Sequence, residues 1–129
     1  MRVPMSKPVL EDLFKWSGRR DRKSYALLNL AMFGFGMAAT VLWIIEAELS
    51  GDPDTAFGTL IVLIVMFCVM GVSSIATTAQ RCRDLGMPGV VSAVIMLPYA
   101  GIAAWIAILV MPGDKGPNKF GADPRGLKA

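Results

Sequence analysis

Histidine is absent from this 129-residue chain, and with it goes the side chain that most often serves as a general base near neutral pH. Ser-His-Asp and Cys-His arrangements and histidine-ligated zinc are excluded by that one absence. Cysteine is scarce. Cys68 and Cys82 stand 14 positions apart, about 21 Å along a continuous helix, whereas a disulfide joins Cα atoms within ~7 Å. An internal disulfide is not expected, and two cysteines without histidine make a poor metal site. Cys68 reads as a small apolar packing residue. No metal and no cofactor is implied.

Charge is also thin. Charged residues make up 18% of the chain against 54% hydrophobic, and the mean hydropathy is +0.54, too apolar for an ordinary soluble domain. Three stretches contain no Asp, Glu, Lys or Arg: residues 25–45, 56–79 and 90–111, of 21, 24 and 22 residues. Each meets the ~20 residues that a helix needs to cross a bilayer. The first is too long for the apolar core of a signal peptide and lacks an A-x-A cleavage pattern, so it stays attached. Asp54 or Thr55 is placed to cap the second. Pro98 and Gly101 interrupt the third, which predicts a kink. The lack of intramembrane ionisable groups removes the usual mark of ion-coupled transport. Small residues such as Gly34 and Ala38, or Ala100 and Ala104, suit close helix packing, and the hydroxyls of the second span are the expected partners for Asn29 and Tyr99.

What charge there is lies in the polar segments, sorted by sign. Arg2, Lys7, Lys15, Arg19, Arg20, Arg22 and Lys23 precede the first span, whereas Glu46, Glu48, Asp52 and Asp54 follow it with no base among them. The positive-inside rule puts the N-terminus in the cytoplasm, in agreement with Arg81 and Arg83 after the second span. The acidic hairpin matches no calcium loop and reads as a solvated outer loop. Three crossings would export Lys115, Lys119, Arg125 and Lys128, against the same rule. A re-entrant third segment, with legs Val90–Leu97 and Ile102–Met111, would keep them inside. Three crossings are the expectation, because a turn facing lipid leaves backbone groups unpaired.

Residues 9–15 repeat apolar side chains at helical spacing, as in a short amphipathic helix lying in the headgroup layer with Trp16 as its anchor. The following WSGRRDRK puts four bases in five positions, where each gains ~1 kcal/mol from anionic lipid. Nucleic-acid binding is not expected, since no stacking aromatics or recognisable module accompany the bases. Asp84 and Asp123 are the only acid or base candidates, with no nucleophile, metal cluster or phosphate loop beside them. The fold expected is therefore an all-α integral membrane bundle forming one domain over 1–129. It has a cytoplasmic basic segment (1–24) containing the short interfacial helix, three transmembrane helices with the third kinked, and a Gly/Pro-rich tail (112–129).

Three polar motifs add a resemblance. Phe14-Lys15-Trp16-Ser17-Gly18-Arg19, with Arg22 and Tyr25, is similar to F-x-G-R-x-x-R-x-x-aromatic with one extra residue before Gly18. Arg81-Cys82-Arg83-Asp84-Leu85-Gly86-Met87-Pro88-Gly89 is similar to R-x-H-D-x-G-x-S-G-W, with Arg83, Pro88 and Val90 replacing the histidine, serine and tryptophan. Gly116-Pro117-Asn118-Lys119-Phe120-Gly121-Ala122-Asp123-Pro124 meets G-x-N-x-[FY]-G-x-D-P. Together with the spans these resemble the DUF805 family of small bacterial inner-membrane proteins. The resemblance implies a membrane address and a shared architecture but no reaction.

Physically, Arg81 and Asp84 can pair on one helix face, Gly86 and Gly89 permit a sharp turn, and Asn118 and Asp123 can bond nearby backbone groups. Gly18, Phe120, Gly121 and Pro124 complete the candidate structural set. The expected function is a non-enzymatic inner-membrane protein whose Arg19, Arg22, Arg81 and Arg83 contact anionic headgroups or a protein partner. The alternative is an oligomeric small transporter or channel-like subunit, which would need a homo-oligomer.

Overall fold

A computed structural model of the chain describes residues 7–126, so Arg2 and Lys128, counted above among the bases, lie outside the described residues. The regular elements among the described residues are helices, and the nearest thing to a strand is an isolated bridge between Asn118 and Gly121. Helix α1 spans Arg22–Ser50 and α2 spans Pro53–Asp84. Asp21 caps α1 by accepting from the Ser24 N–H, and Gly51 ends it in the left-handed region at φ 60°. Only Gly51 and Asp52 separate the helices. The cap of α2 is Asp52, not Asp54 or Thr55, and it accepts from both of their amides, with Pro53 in the first helical turn where its missing N–H costs nothing.

The two helices run antiparallel in a register pinned at both ends. Tyr25 Oη lies 2.9 Å from Thr78 Oγ1, and Trp43 Nε1 donates to the Ala56 carbonyl at 3.3 Å. Between these, Gly36 lies against the Phe67 ring, so that a Cβ there would approach it to 3.2 Å. Gly34, expected at a packing face, meets open space. At about 48 Å, α2 is longer than the ~30 Å hydrocarbon layer. The most apolar stretch of each helix is only 11% buried. Leu30, Phe33 and Val62 are each about two-thirds exposed, and a water-facing surface of that kind would aggregate. These are two helices long and apolar enough to cross a membrane.

The third apolar stretch departs from expectation. Residues 90–111 do not form one kinked helix. Gly89–Met96 is a 3-10 helix and α3 spans Ala100–Val110, joined through Tyr99 at φ 59°. Both ends of this hairpin meet the same end of α2. Gly89 abuts the Arg83 guanidinium, while the carbonyls of Ile108 and Met111 accept from Arg81. Each leg rises about 16 Å, roughly half the ~30 Å layer. Much of the backbone penalty that disfavoured such a turn is met locally: Leu97 N donates to Val94 O at 3.1 Å, Ala100 N to Pro98 O at 2.6 Å and Gly101 N to Leu97 O at 2.7 Å. Tyr99 sits at the tip, 87% exposed, and the hydroxyl pairing expected of it belongs to Tyr25 instead.

No helix forms over residues 9–15. This segment is a chain of turns with Asp12 at φ 55°. Carbonyls that a helix would have used internally are claimed by side chains from elsewhere. Arg20 donates to Val9 O and Glu11 O, Gln80 to Asp12 O and Lys15 O, and Ser73 to Leu13 O. Leu10, Phe14 and Trp16 nonetheless stay exposed, as an interfacial segment requires.

Gly101 is the closest approach in the hairpin, since a Cβ there would lie 2.4 Å from the Ile95 carbonyl oxygen. Gly101→Ala is expected to destabilise the protein by about 1–3 kcal/mol through overpacking, read as a lowered Tm in detergent. Gly34→Ala, in open space, is expected to leave the Tm unchanged or raise it slightly.

Candidate functional site

The buried centre lies at the hairpin's base, and it is polar. Asp84 Oδ1 accepts from Arg19 Nε at 3.1 Å and Nη2 at 2.9 Å, and Asp84 Oδ2 accepts from Arg81 Nη1. All three side chains are at most 1% exposed. Two guanidinium groups against one carboxylate leave an excess positive charge, which backbone carbonyls offset. Arg19 donates further to Gly116 O at 2.7 Å, Gly121 O at 3.2 Å and Asp114 O at 2.8 Å. Arg81 donates to Ile108 O at 3.2 Å and to Met111 O. Those last two carbonyls belong to the final turn of α3 and its cap, so Arg81 closes that helix and opposes its dipole. Among the described residues, no buried side-chain nitrogen or oxygen lacks a partner.

Glycine makes the contact possible. A Cβ on Gly113 would lie 1.9 Å from Asp84 Oδ2, and Gly86, at φ 74°, turns the chain out of α2 against Asp114. Gly18, at φ 88°, turns it into Arg19. Around this centre the tail closes on itself. Asp123 Oδ2 accepts from Gly116 N at 2.8 Å and its Oδ1 from Arg125 N and Nε, each at 2.9 Å. Asn118 donates to Arg83 O at 2.9 Å and accepts from Phe120 N at 2.9 Å, beside paired backbone bonds between Asn118 and Gly121. Phe120 and Pro124 are half-buried in this loop. Burial raises the Asp123 carboxyl, but hydrogen bonds from the Arg125 side chain and amide and from Gly116 outweigh it and hold it below the ordinary 3.8. The same pairing lifts the Arg125 guanidinium.

The four arginines singled out from the sequence divide into two pairs. Arg19 and Arg81 turn inward and are fully bonded within the protein, so they present nothing to a headgroup. Arg22 is exposed with one bond, to Val110 O at 3.2 Å, and Arg83 is half-buried, donating to Trp16 O. Asp84, the first acid or base candidate, has both oxygens occupied. Arg20 was missed: it is fully buried, bonded to Gln80 Oε1 at 3.2 Å and Ser24 Oγ at 2.7 Å as well as to the turns before it. The available signal was the polar run Ser73 to Gln80 at the end of an apolar helix, which needs buried partners. Among the described residues, no group of three or more carboxylates or cysteines is placed to hold a metal ion.

The family model described as "Protein of unknown function (DUF805)" matches residues 13–122, which takes in all three polar motifs except the last two residues of the tail's. No curated protein and no solved structure gives a match.

Asp84→Asn keeps the shape but strands two buried guanidinium groups, a loss expected to cost about 3–5 kcal/mol. A large fall in the Tm in detergent checks it, and Arg19→Lys is expected to fall too because an ammonium cannot replace the guanidinium fork. For Asp123 the sign is that of a lowered carboxyl. Its contribution is complete above the ordinary 3.8 and disappears as pH falls through the lower folded value. Hydrogen-exchange protection of the Gly116 and Arg125 amides, corrected for intrinsic rates, is therefore expected to persist in mild acid and be lost only below pH 3.8. Asp123→Asn is expected to remove that dependence.

Proposed function

The chain belongs to the DUF805 family, and we propose that it is a non-enzymatic protein of the bacterial inner membrane. In this reading it has two crossings, a re-entrant hairpin and a basic cytoplasmic face that holds anionic lipid headgroups. The observation that carries the proposal is the return of the hairpin to the end of α2. With it, every base among the described residues gathers at one end of the helix pair, while Glu46, Glu48, Asp52 and Asp54 occupy the other. A tail brought back in this way removes the conflict with the positive-inside rule. Lys15, Arg22, Lys23, Lys115 and Lys119 are exposed at the basic end. Beside them Leu10 is 74%, Phe14 55% and Trp16 52% exposed, a mixture of cation and apolar surface that suits the headgroup layer.

Reporters fused after Ala129 and within the Gly51–Asp52 loop test the topology. The tail is expected on the cytoplasmic side and the loop outside, and an external tail overturns the re-entrant reading. For the lipid role, anionic phospholipid that co-purifies in mild detergent is compared between the parent and a variant with Lys15, Lys23, Lys115 and Lys119 all changed to glutamine. Retention is expected to fall severalfold. Equal retention overturns the headgroup role.

A further inference from the structure

The three helices enclose a groove of about 770 Å³ on the membrane side of the buried centre. Its α1 wall runs from Ala26 to Thr40, with Met70 and Gly71 of α2 and Trp105 of α3 opposite. The polar groups in this wall are already engaged. Asn29 donates to Tyr25 O at 2.8 Å and accepts from Trp105 Nε1 at 3.1 Å, and Thr40 donates to Gly36 O at 2.9 Å. Apart from the Ser74 hydroxyl on α2, the rest of the side-chain lining is apolar. From Ala26 to Thr40 the wall is about 21 Å long, against a leaflet depth of ~15 Å, half the hydrocarbon core.

The mouth differs from the walls. Arg22 lies one turn before Ala26 on the same stripe of α1, exposed, and its guanidinium bonds Val110 O beside Leu109 of the lining. A cation therefore bridges α1 and α3 where the groove opens toward the basic end. A largely apolar channel long enough for an acyl chain to cross one leaflet, with a guanidinium at its headgroup end, matches one amphiphile in charge and shape. We propose that the groove seats a single anionic phospholipid, with one acyl chain along α1 and its phosphate on Arg22. This deepens the headgroup reading above and rests on its placement of the basic end.

The test uses Trp105 as the only indole, in the full chain carrying Trp16→Phe and Trp43→Phe. It is reconstituted in phosphatidylcholine vesicles that contain a small fraction of phosphatidylglycerol brominated in its acyl chains, or the same fraction of brominated phosphatidylcholine. The anionic lipid is expected to quench Trp105 saturably and with about fivefold preference, the factor one cation supplies. Arg22→Gln is expected to bring the two lipids level, and Arg22→Lys to restore the preference. Gly71 faces open space, so Gly71→Phe fills the groove and is expected to weaken quenching by both lipids. Gly34→Phe, equally open and outside the groove, is expected to change nothing. Should Gly71→Phe fail to insert, Gly71→Leu serves.

Equal quenching of the parent by both lipids means ordinary boundary lipid only and overturns the proposal. Quenching by neither, as when a second copy of the chain seats there, overturns it too. A Trp105 preference that survives the four-lysine change while bulk anionic retention persists sinks the broad headgroup role but not this site. The reverse pattern sinks the site alone.

Discussion

Asp84 accepts hydrogen bonds from two guanidinium groups that reach it from different parts of the chain, Arg19 from the segment before α1 and Arg81 from its own helix. Each arginine carries further segments with it. Arg19 holds the tail by three carbonyls and Arg81 holds the end of α3 by two. One carboxylate thus ties the turn before α1, the tail and the end of α3 to the end of α2. The desolvation cost of burying these charges is met only because each N–H is spent on a carbonyl or carboxylate. An apolar replacement would not hold loops whose own surface is mostly backbone. This is why the described core holds buried charge beside a small apolar cluster of Tyr25, Cys82 and Ile108, while most of the large apolar side chains face outward along the helices.

From that tie follows the geometry on which the functional reading depends. A third segment anchored to α2 at both ends has to turn back, and each of its legs, at about 16 Å, is roughly half as long as a ~30 Å hydrocarbon layer is thick. The hairpin then forms one side of the groove beside α1, with Arg22 at its mouth. The buried arginines are spent on carboxylate and carbonyls inside the protein, and Arg22 is left exposed beside them.

Parts of this were legible in the residues. Arg81 and Asp84 three positions apart do pair, and Asn118 and Asp123 do bond local backbone. Such features follow from spacing and side-chain chemistry over a few residues. The inward turn of Arg19 was hidden because its partner lies 65 positions away, and nothing in a basic run distinguishes a buried arginine from a solvated one. Residues 9–15 carry helical periodicity yet form turns, because Arg20, Gln80 and Ser73 offer their carbonyls better-placed donors than the local amides. In the third segment, the cost charged against a turn assumed unpaired amides, and the chain pairs those of Leu97, Ala100 and Gly101 within the turn.

Hydropathy and the sorting of charge by sign were properties of the sequence alone. They sum over residues whatever the contacts, and they determined two long apolar helices and the basic and acidic ends. Tertiary structure alone decided that the third stretch folds back and that two of the four chosen arginines are buried. Both outcomes turn on which distant donor meets which acceptor, and that choice depends on the closure of the whole chain around Asp84.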